Sequence, residues 1–193
     1  MTKIILINGK KRSGKDYFAN ELRKELESRG ESAEIMSFAD PIKNIITTTF
    51  GISLEKLDEF KNNPELYPIE TVCRFMPQEV ILESTDYRTI LQRFGTEAMK
   101  EYFGEAVWVN LLLERVAASE SDFVLVPDFR FLCEDISPYT INIYNANTVN
   151  SGDTHRSENE LNEFKFKYYV DNTDYSDLPD SVQYLADALI RSV

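Results

Sequence analysis

Gly9, Gly14 and Lys15 stand at the spacing G-x-x-x-x-G-K, in the run Gly9-Lys10-Lys11-Arg12-Ser13-Gly14-Lys15-Asp16. Glycines in such a run let the backbone curl so that successive N–H groups converge on phosphate oxygens, and the start of a following helix adds partial positive charge. Lys15 then reaches the β- and γ-phosphates of a bound nucleotide as a point charge. The last position departs from the common form: Asp16 stands where a Ser or Thr hydroxyl normally ligates Mg²⁺, and Tyr17 follows. Mg²⁺ prefers hard oxygen ligands and keeps several waters, so a carboxylate can hold the ion directly or through a water. Asp16 is therefore the candidate metal residue.

A second constellation is Val124-Leu125-Val126-Pro127-Asp128-Phe129-Arg130, an acidic residue at the carboxyl end of an apolar strand. In open α/β sheets the ligand crevice lies along that edge, which brings Asp128 and Arg130 to the side of the glycine-bounded loop. Taken alone, Asp128 has an alternative use in capping the next turn. Arg88, Gln92 and Arg93 lie at helical spacing with Arg88 and Gln92 on one face; a guanidinium suits phosphate and an amide can read a base edge. Lys43 sits in a predicted first helical turn, where a lysine commonly faces solvent. Trp108, the single tryptophan, has burial as its default, and the single histidine, His155, lies in a polar segment.

The elements that must position these residues follow from periodicity. Ile4 to Ile7 is a continuous apolar run, as in a strand buried on both faces. Phe18, Ala19, Leu22 and Leu26 recur at helical spacing until Gly30. Ala33 to Phe38 reads as a second strand. Asp40-Pro41 reads as an N-cap and a first-turn proline ahead of a helix carrying Ile42, Ile45, Ile46 and Phe50. From Ser53 to Ser84 only a short helix and an irregular excursion are expected. Thr85 or Asp86 caps a helix through Ile90, Leu91 and Phe94, which Gly95-Thr96 interrupts before Met99, Phe103, Trp108, Leu112 and Val116 continue it. Phe123 to Val126, Tyr139 to Tyr144 and Lys165 to Val170 are three further strands, Leu178 to Leu189 is a final helix, and residues 145–164 are a polar segment. Strands alternating with helices imply an α/β fold with a parallel sheet of about five strands and helices on both faces.

The whole, 193 residues, reads as one domain. A net charge of −12 argues against a general nucleic-acid binder, because neutralising phosphate backbones needs a basic face. The basic cluster Lys10 to Lys15 needs a local anion instead. Cys73 and Cys133 show neither metal-ligand nor redox-motif spacing, which suits a reducing compartment. The apolar opening Ile4 to Ile7 runs straight into Gly9-Lys10-Lys11-Arg12, and no run reaches membrane-spanning length. The expectation is a cytoplasmic protein with no membrane and no nucleic-acid partner.

At these residues the chain resembles the tailed-phage deoxynucleoside monophosphate kinases, a branch of the P-loop nucleotide kinases. The resemblance covers the loop with its aspartate, Asp40-Pro41-Ile42-Lys43, Leu91-Gln92-Arg93-Phe94-Gly95-Thr96 with Trp108, and Val126-Pro127-Asp128-Phe129-Arg130 with Glu134. Thr154-His155-Arg156-Ser157-Glu158 and Val170-Asp171-Asn172 complete it. It implies a P-loop kinase fold with an acceptor-binding helical region at about 40–110 and a lid at about 145–164. ATP and Mg²⁺ would be bound, and a deoxynucleoside monophosphate would accept the phosphate. Lys11, Arg12, Ser13, Gly14, Lys15, Asp16, Tyr17 and Asn172 would contact ATP. Ile42, Lys43, Arg88, Gln92, Gly95, Thr96, Trp108, Asp128, Arg130 and Glu134 would surround the acceptor, with Arg156 in the lid. Lys15, Arg12, Arg130 and Asp128 would act in transfer, in the host cytoplasm for a phage-encoded chain, and a homodimer is one assembly open to it. Family members carry Thr where this chain has Tyr17, and residues 53–84 depart from the family. Phosphomevalonate kinase, whose phosphate loop also ends in Gly-Lys-Asp, is the alternative within kinases. A non-catalytic nucleotide sensor is the alternative outside them.

Overall fold

In a computed structural model the described residues are 2–73, 80–148 and 156–192, with the side chains of 70–84 left aside. The chain divides into two compact units, Met1–Phe38 with Val109–Val193, and Ala39–Trp108.

The first unit is built on β1 (Lys3–Gly9), whose apolar run is followed by helix α1 (Lys15–Ser28) and strand β2 (Ala33–Ile35). The second unit contains α2 (Asp40–Phe50), α3 (Leu54–Asn62), β3 (Ile69–Cys73), β4 (Val80–Thr85), α4 (Tyr87–Gln92) and α5 (Met99–Phe103). Helix α6 (Val107–Ala118) leads to β5 (Phe123–Val126), β6 (Thr140–Tyr144), the short α7 (Arg156–Asn159), β7 (Tyr168–Asp171) and α8 (Leu178–Arg191). Five strands form one sheet in the order β2-β5-β1-β6-β7, and every pairing in it is parallel. The protein is therefore an α/β protein with an all-parallel sheet flanked by helices.

Burial explains the unbroken apolar runs. Ile5, Ile7, Leu125, Ile141 and Ile143 pack into one core with Phe18, Leu22 and Leu26 of α1 and Val182, Leu185 and Leu189 of α8. Alternate residues Leu6, Val124 and Val126 point to the opposite face and are also fully buried. Because all five strands run the same way, their carboxyl ends share one edge. That edge carries the residues after β1, β2, β5, β6 and β7.

The second unit has its own apolar centre at Ile42, Ile46 and Leu57, beside an aromatic chain from Phe50 to Tyr87 to Phe60 to Tyr67 with centroid spacings of 5.3, 5.2 and 4.3 Å. Three sequence expectations need correction here. The stretch from Ser53 to Ser84 holds α3 and an antiparallel ribbon, β3 with β4, bulged between Thr71 and Val72; such a pair is defined by cross-strand bonds that no local period announces. Gly95-Thr96 does not break the helix, which passes from α4 to α5 through a π-helical turn, Arg93–Ala98. Asp40 is the first residue of α2 rather than its cap, and the cap position is Ala39. Asp86, by contrast, caps α4, accepting from the Thr89 N–H at 2.9 Å. In the first unit β2 ends at Ile35, short of the expected Phe38, since Ser37 and Phe38 turn to Asp128. Among the described residues, no helix is long and apolar enough to cross a membrane.

Candidate functional site

The chain leaves the sheet at Gly9 and re-enters regular structure at Lys15, and the loop between is held from inside. The Ser13 N–H donates to the Lys10 carbonyl at 3.0 Å, and the Phe18 N–H to the Gly14 carbonyl at 2.9 Å. A Cβ on Gly9 would lie 2.3 Å from Ser13 Oγ and 3.0 Å from the Ile143 carbonyl, so only glycine fits. Gly14 takes φ +88°, and Arg12, a non-glycine residue, takes φ +64°. The second is a strained setting of the kind that recurs in ligand-binding loops.

Asn172, at the end of β7, braces this loop. Its Nδ2 donates to the Ser13 carbonyl at 2.8 Å, its own N–H donates to the Tyr144 carbonyl at 2.7 Å, and Asn145 Nδ2 donates to its carbonyl at 2.8 Å. Asn172 is fully buried. These bonds go to protein main chain, and its Oδ1 is buried with no hydrogen-bond partner among the described residues.

Lys15 is buried, and α1 starts at it. Burial pushes its pKa below the ordinary lysine value of 10.5, the Arg130 guanidinium pushes the same way, and the carboxylates of Asp16, Glu158 and Asp128 oppose them. The pressure on a buried cation is relieved by an anion. The folded chain releases this proton at lower pH than the unfolded chain, so between the lowered pKa and 10.5 the unfolded state holds more protons. This group's contribution to the stability of the ligand-free protein therefore rises with pH across that window. Anion binding that needs the ammonium falls across the same window. The expected result is an alkaline limb in the pH profile of phosphate-anion binding that lies below 10.5; a limb at or above that value would assign it to another group.

Arg12 is exposed at the crest of the loop, Asp16 is exposed in the first turn of α1, and Lys11 is half-buried. Tyr17 is exposed on α1, at the rim of a groove of about 800 Å³ that it lines with Glu21, Lys24, Tyr175, Leu178 and Pro179.

After β5 the chain turns through Asp128 and Arg130. Asp128 accepts from Ser37 Oγ and from the Phe38 N–H, the latter at 3.0 Å, so it organises the segment that leaves β2. Arg115 of α6 joins the same segment through the Ser37 carbonyl at 3.0 Å. Glu134 is buried and accepts the N–H groups of Arg130 and Phe131 at 2.8 and 3.0 Å. Its carboxylate thus shapes the turn that presents Arg130. Arg130 Nη1 donates to Glu158 and, at 3.4 Å, to the Ser157 carbonyl. Lys10 Nζ donates to the Glu158 carbonyl and to Asn162 Oδ1, the latter at 2.6 Å. Arg156 pairs with Glu160 and lies over the Phe131 ring at 5.4 Å.

Of the segment read as a lid, 145–148 and 156–164 are described; Gly152, Thr154 and His155 lie outside the described residues.

In the second unit, Ile42 is buried and Gly95 packs against it, a Cβ on Gly95 meeting Ile42 Cδ1 at 2.7 Å. Trp108 is 3% exposed and its indole N–H donates to the Gly95 carbonyl at 2.7 Å, leaving little ring surface for a base. Lys43 lies 3.8 Å from Asp40. Gln92, at the end of α4, and Thr96, in the π-helical turn, are half-buried. Arg88 Nε is buried with no hydrogen-bond partner among the described residues, an orphan donor that favours an anionic guest.

The first unit thus collects Lys10, Arg12, Lys15 and Arg130 around one sheet edge, with Asp16, Asp128 and Glu158 beside Lys15. Sequence reasoning found most of these residues. It gave no role to Glu158, which entered only as the end of the run Thr154 to Glu158, to Asn145, whose only signal was its place in a polar stretch, or to Ser37. No protein-family model matches the chain, and a search of curated proteins finds no match.

Proposed function

We propose that the chain is a P-loop kinase that transfers the γ-phosphate of ATP to a deoxynucleoside 5′-monophosphate, releasing ADP and the deoxynucleoside diphosphate. The observation that carries this reading is the glycine-bounded loop at the carboxyl edge of a parallel sheet, with the Lys15 ammonium buried beside Arg130. A phosphate acceptor is already a nucleophile, so transfer needs no general base. Catalysis then consists of alignment and charge neutralisation. Lys15 takes the β,γ end of the triphosphate, and Arg12 and Arg130 serve the transferred group. The groove beside Tyr17 and Tyr175 offers aromatic surface to the base of ATP.

Among the described residues no group of three or more His, Cys, Asp or Glu is arranged to hold a metal by itself. Mg²⁺ that arrives with a nucleotide is held by phosphate oxygens, waters and one or two carboxylates. Asp16, exposed beside Lys15, is the carboxylate placed to serve. The ion would supply charge neutralisation on the phosphates. Asp16→Asn is expected to raise the Mg²⁺ concentration for half-maximal rate severalfold at saturating ATP. An unchanged midpoint in a folded variant would assign Asp16 to the helix start alone.

The reading is tested by a coupled ADP-release assay over the four deoxynucleoside monophosphates, their ribose counterparts and phosphomevalonate. Turnover with a deoxynucleotide supports it, and turnover with phosphomevalonate alone moves the chain to the other kinase class. ATP binding without ADP release on any acceptor leaves a nucleotide sensor.

A further inference from the structure

Glu158 is the least expected member of the charged cluster. Its side chain is 4% exposed, and a carboxylate so far from water needs cationic partners. It has them: Arg130 Nη1 donates to Oε1, and Lys15 feels its charge. The adjoining main chain repeats the pattern, because the Ser157 carbonyl accepts from the same Nη1 and the Glu158 carbonyl accepts from Lys10 Nζ.

Both side-chain bonds of Arg130 therefore use one nitrogen. No described residue bonds Nε or Nη2, and neither is a buried orphan. The Nε–Nη2 edge is a fork that presents two parallel N–H groups to a phosphate. Holding Nη1 fixes the rotation of the guanidinium and so the direction in which that fork points, as a carboxylate behind a metal-bound histidine fixes the ring.

We propose that Glu158 is a positioning residue for phosphoryl transfer: it holds Nη1 of Arg130 so that the Nε–Nη2 edge meets the transferred phosphate. The inference rests on the kinase reading above. It predicts a split that a plain structural role would not give. Removing the carboxylate takes a negative charge away from a phosphate site, so ground-state affinity for anions does not fall. Alignment of Arg130 with the transition state is lost, so kcat does.

The test compares the parent with Glu158→Gln, Arg130→Ala and the double variant in the full chain. Glu158→Gln is expected to lower kcat about tenfold or more while its calorimetric affinity for ATP stays equal or becomes tighter. In the Arg130→Ala background the same change should cost less than about twofold, since it acts through Arg130. A kcat within about twofold of the parent in the folded variant, or full additivity with Arg130→Ala, overturns the proposal. So does a joint loss of ATP affinity and kcat that tracks a lowered melting temperature.

A second readout separates this inference from the kinase reading. Nitrogen NMR of the arginine side chains is expected to show separate Nη signals for Arg130 in the parent and an averaged signal in Glu158→Gln. A single averaged signal in the parent overturns the inference whatever the enzyme assay shows. Resolved signals in a parent that turns over no acceptor keep the Glu158–Arg130 arrangement and discard the kinase.

Discussion

Replacing Lys15 with alanine is expected to lower kcat about 10²-fold or more without costing the protein its fold. The two halves of that expectation have one cause. Lys15 is a buried cation beside a second cation, and its lowered pKa says that the charge is carried at a cost in the ligand-free state. Removing it relieves that cost, so the melting temperature of Lys15→Ala should equal or exceed the parent's at neutral pH. On the kinase reading proposed above, the same ammonium meets the charge that builds on the β,γ phosphates, where a donor in a water-poor site is worth most. Lys15→Arg should restore little, because a planar fork does not replace a compact point charge in a closed loop. The measurement is ADP release beside a thermal melt. Near-parental turnover in a folded Lys15→Ala would end the P-loop assignment.

Gly14→Ala is the second large effect, and it should strike stability and nucleotide binding together. At φ +88° an L-residue pays a left-handed penalty of about 1–2 kcal/mol. The new Cβ would also lie 2.3 Å from Asn172 Nδ2, the atom that braces the loop through the Ser13 carbonyl. Strain and the displaced brace together suggest a loss of about 2 kcal/mol or more, which for a chain of this size lowers the melting temperature by about 4–8 °C. Because the brace holds the loop's shape, ATP affinity should fall even well below the melting temperature. Gly30→Ala is the control: it has the same φ of +88° with nothing within 4 Å, so it should lose some stability and no affinity. A Gly14→Ala protein that binds ATP as the parent does would show that the loop conformation does not set nucleotide binding.

Several members of the charged cluster were legible because they are local. The loop is a contiguous run between an apolar strand and an amphipathic helix, and Asp128 and Arg130 lie two residues apart at a strand end. Period and spacing are therefore enough to find them. The parallel sheet was legible for a related reason, since strands buried on both faces write continuous apolar runs such as Ile4 to Ile7 and Phe123 to Val126. The β3–β4 ribbon was missed because an antiparallel pair is defined by cross-strand bonds, and neither short strand writes a sustained period of its own. The π-helical turn at Gly95 was taken for a break because glycine ends helices more often than it widens them.

What the sequence by itself determined is the chemistry at hand: a basic loop bounded by glycines, a lysine at its end, and acidic and basic residues at a strand terminus. Only the tertiary structure decided which groups share that chemistry. Asn172, 159 positions from Ser13, became a brace of the loop. Glu134 became the acceptor of two backbone N–H groups, and Glu158 became the partner of Arg130 across 28 positions. The reason is physical. A hydrogen bond or ion pair between distant segments leaves no period in the chain, and burial, which turns a solvated Asn or Glu into a structural or electrostatic element, exists only once the sheet has brought its carboxyl ends to one edge.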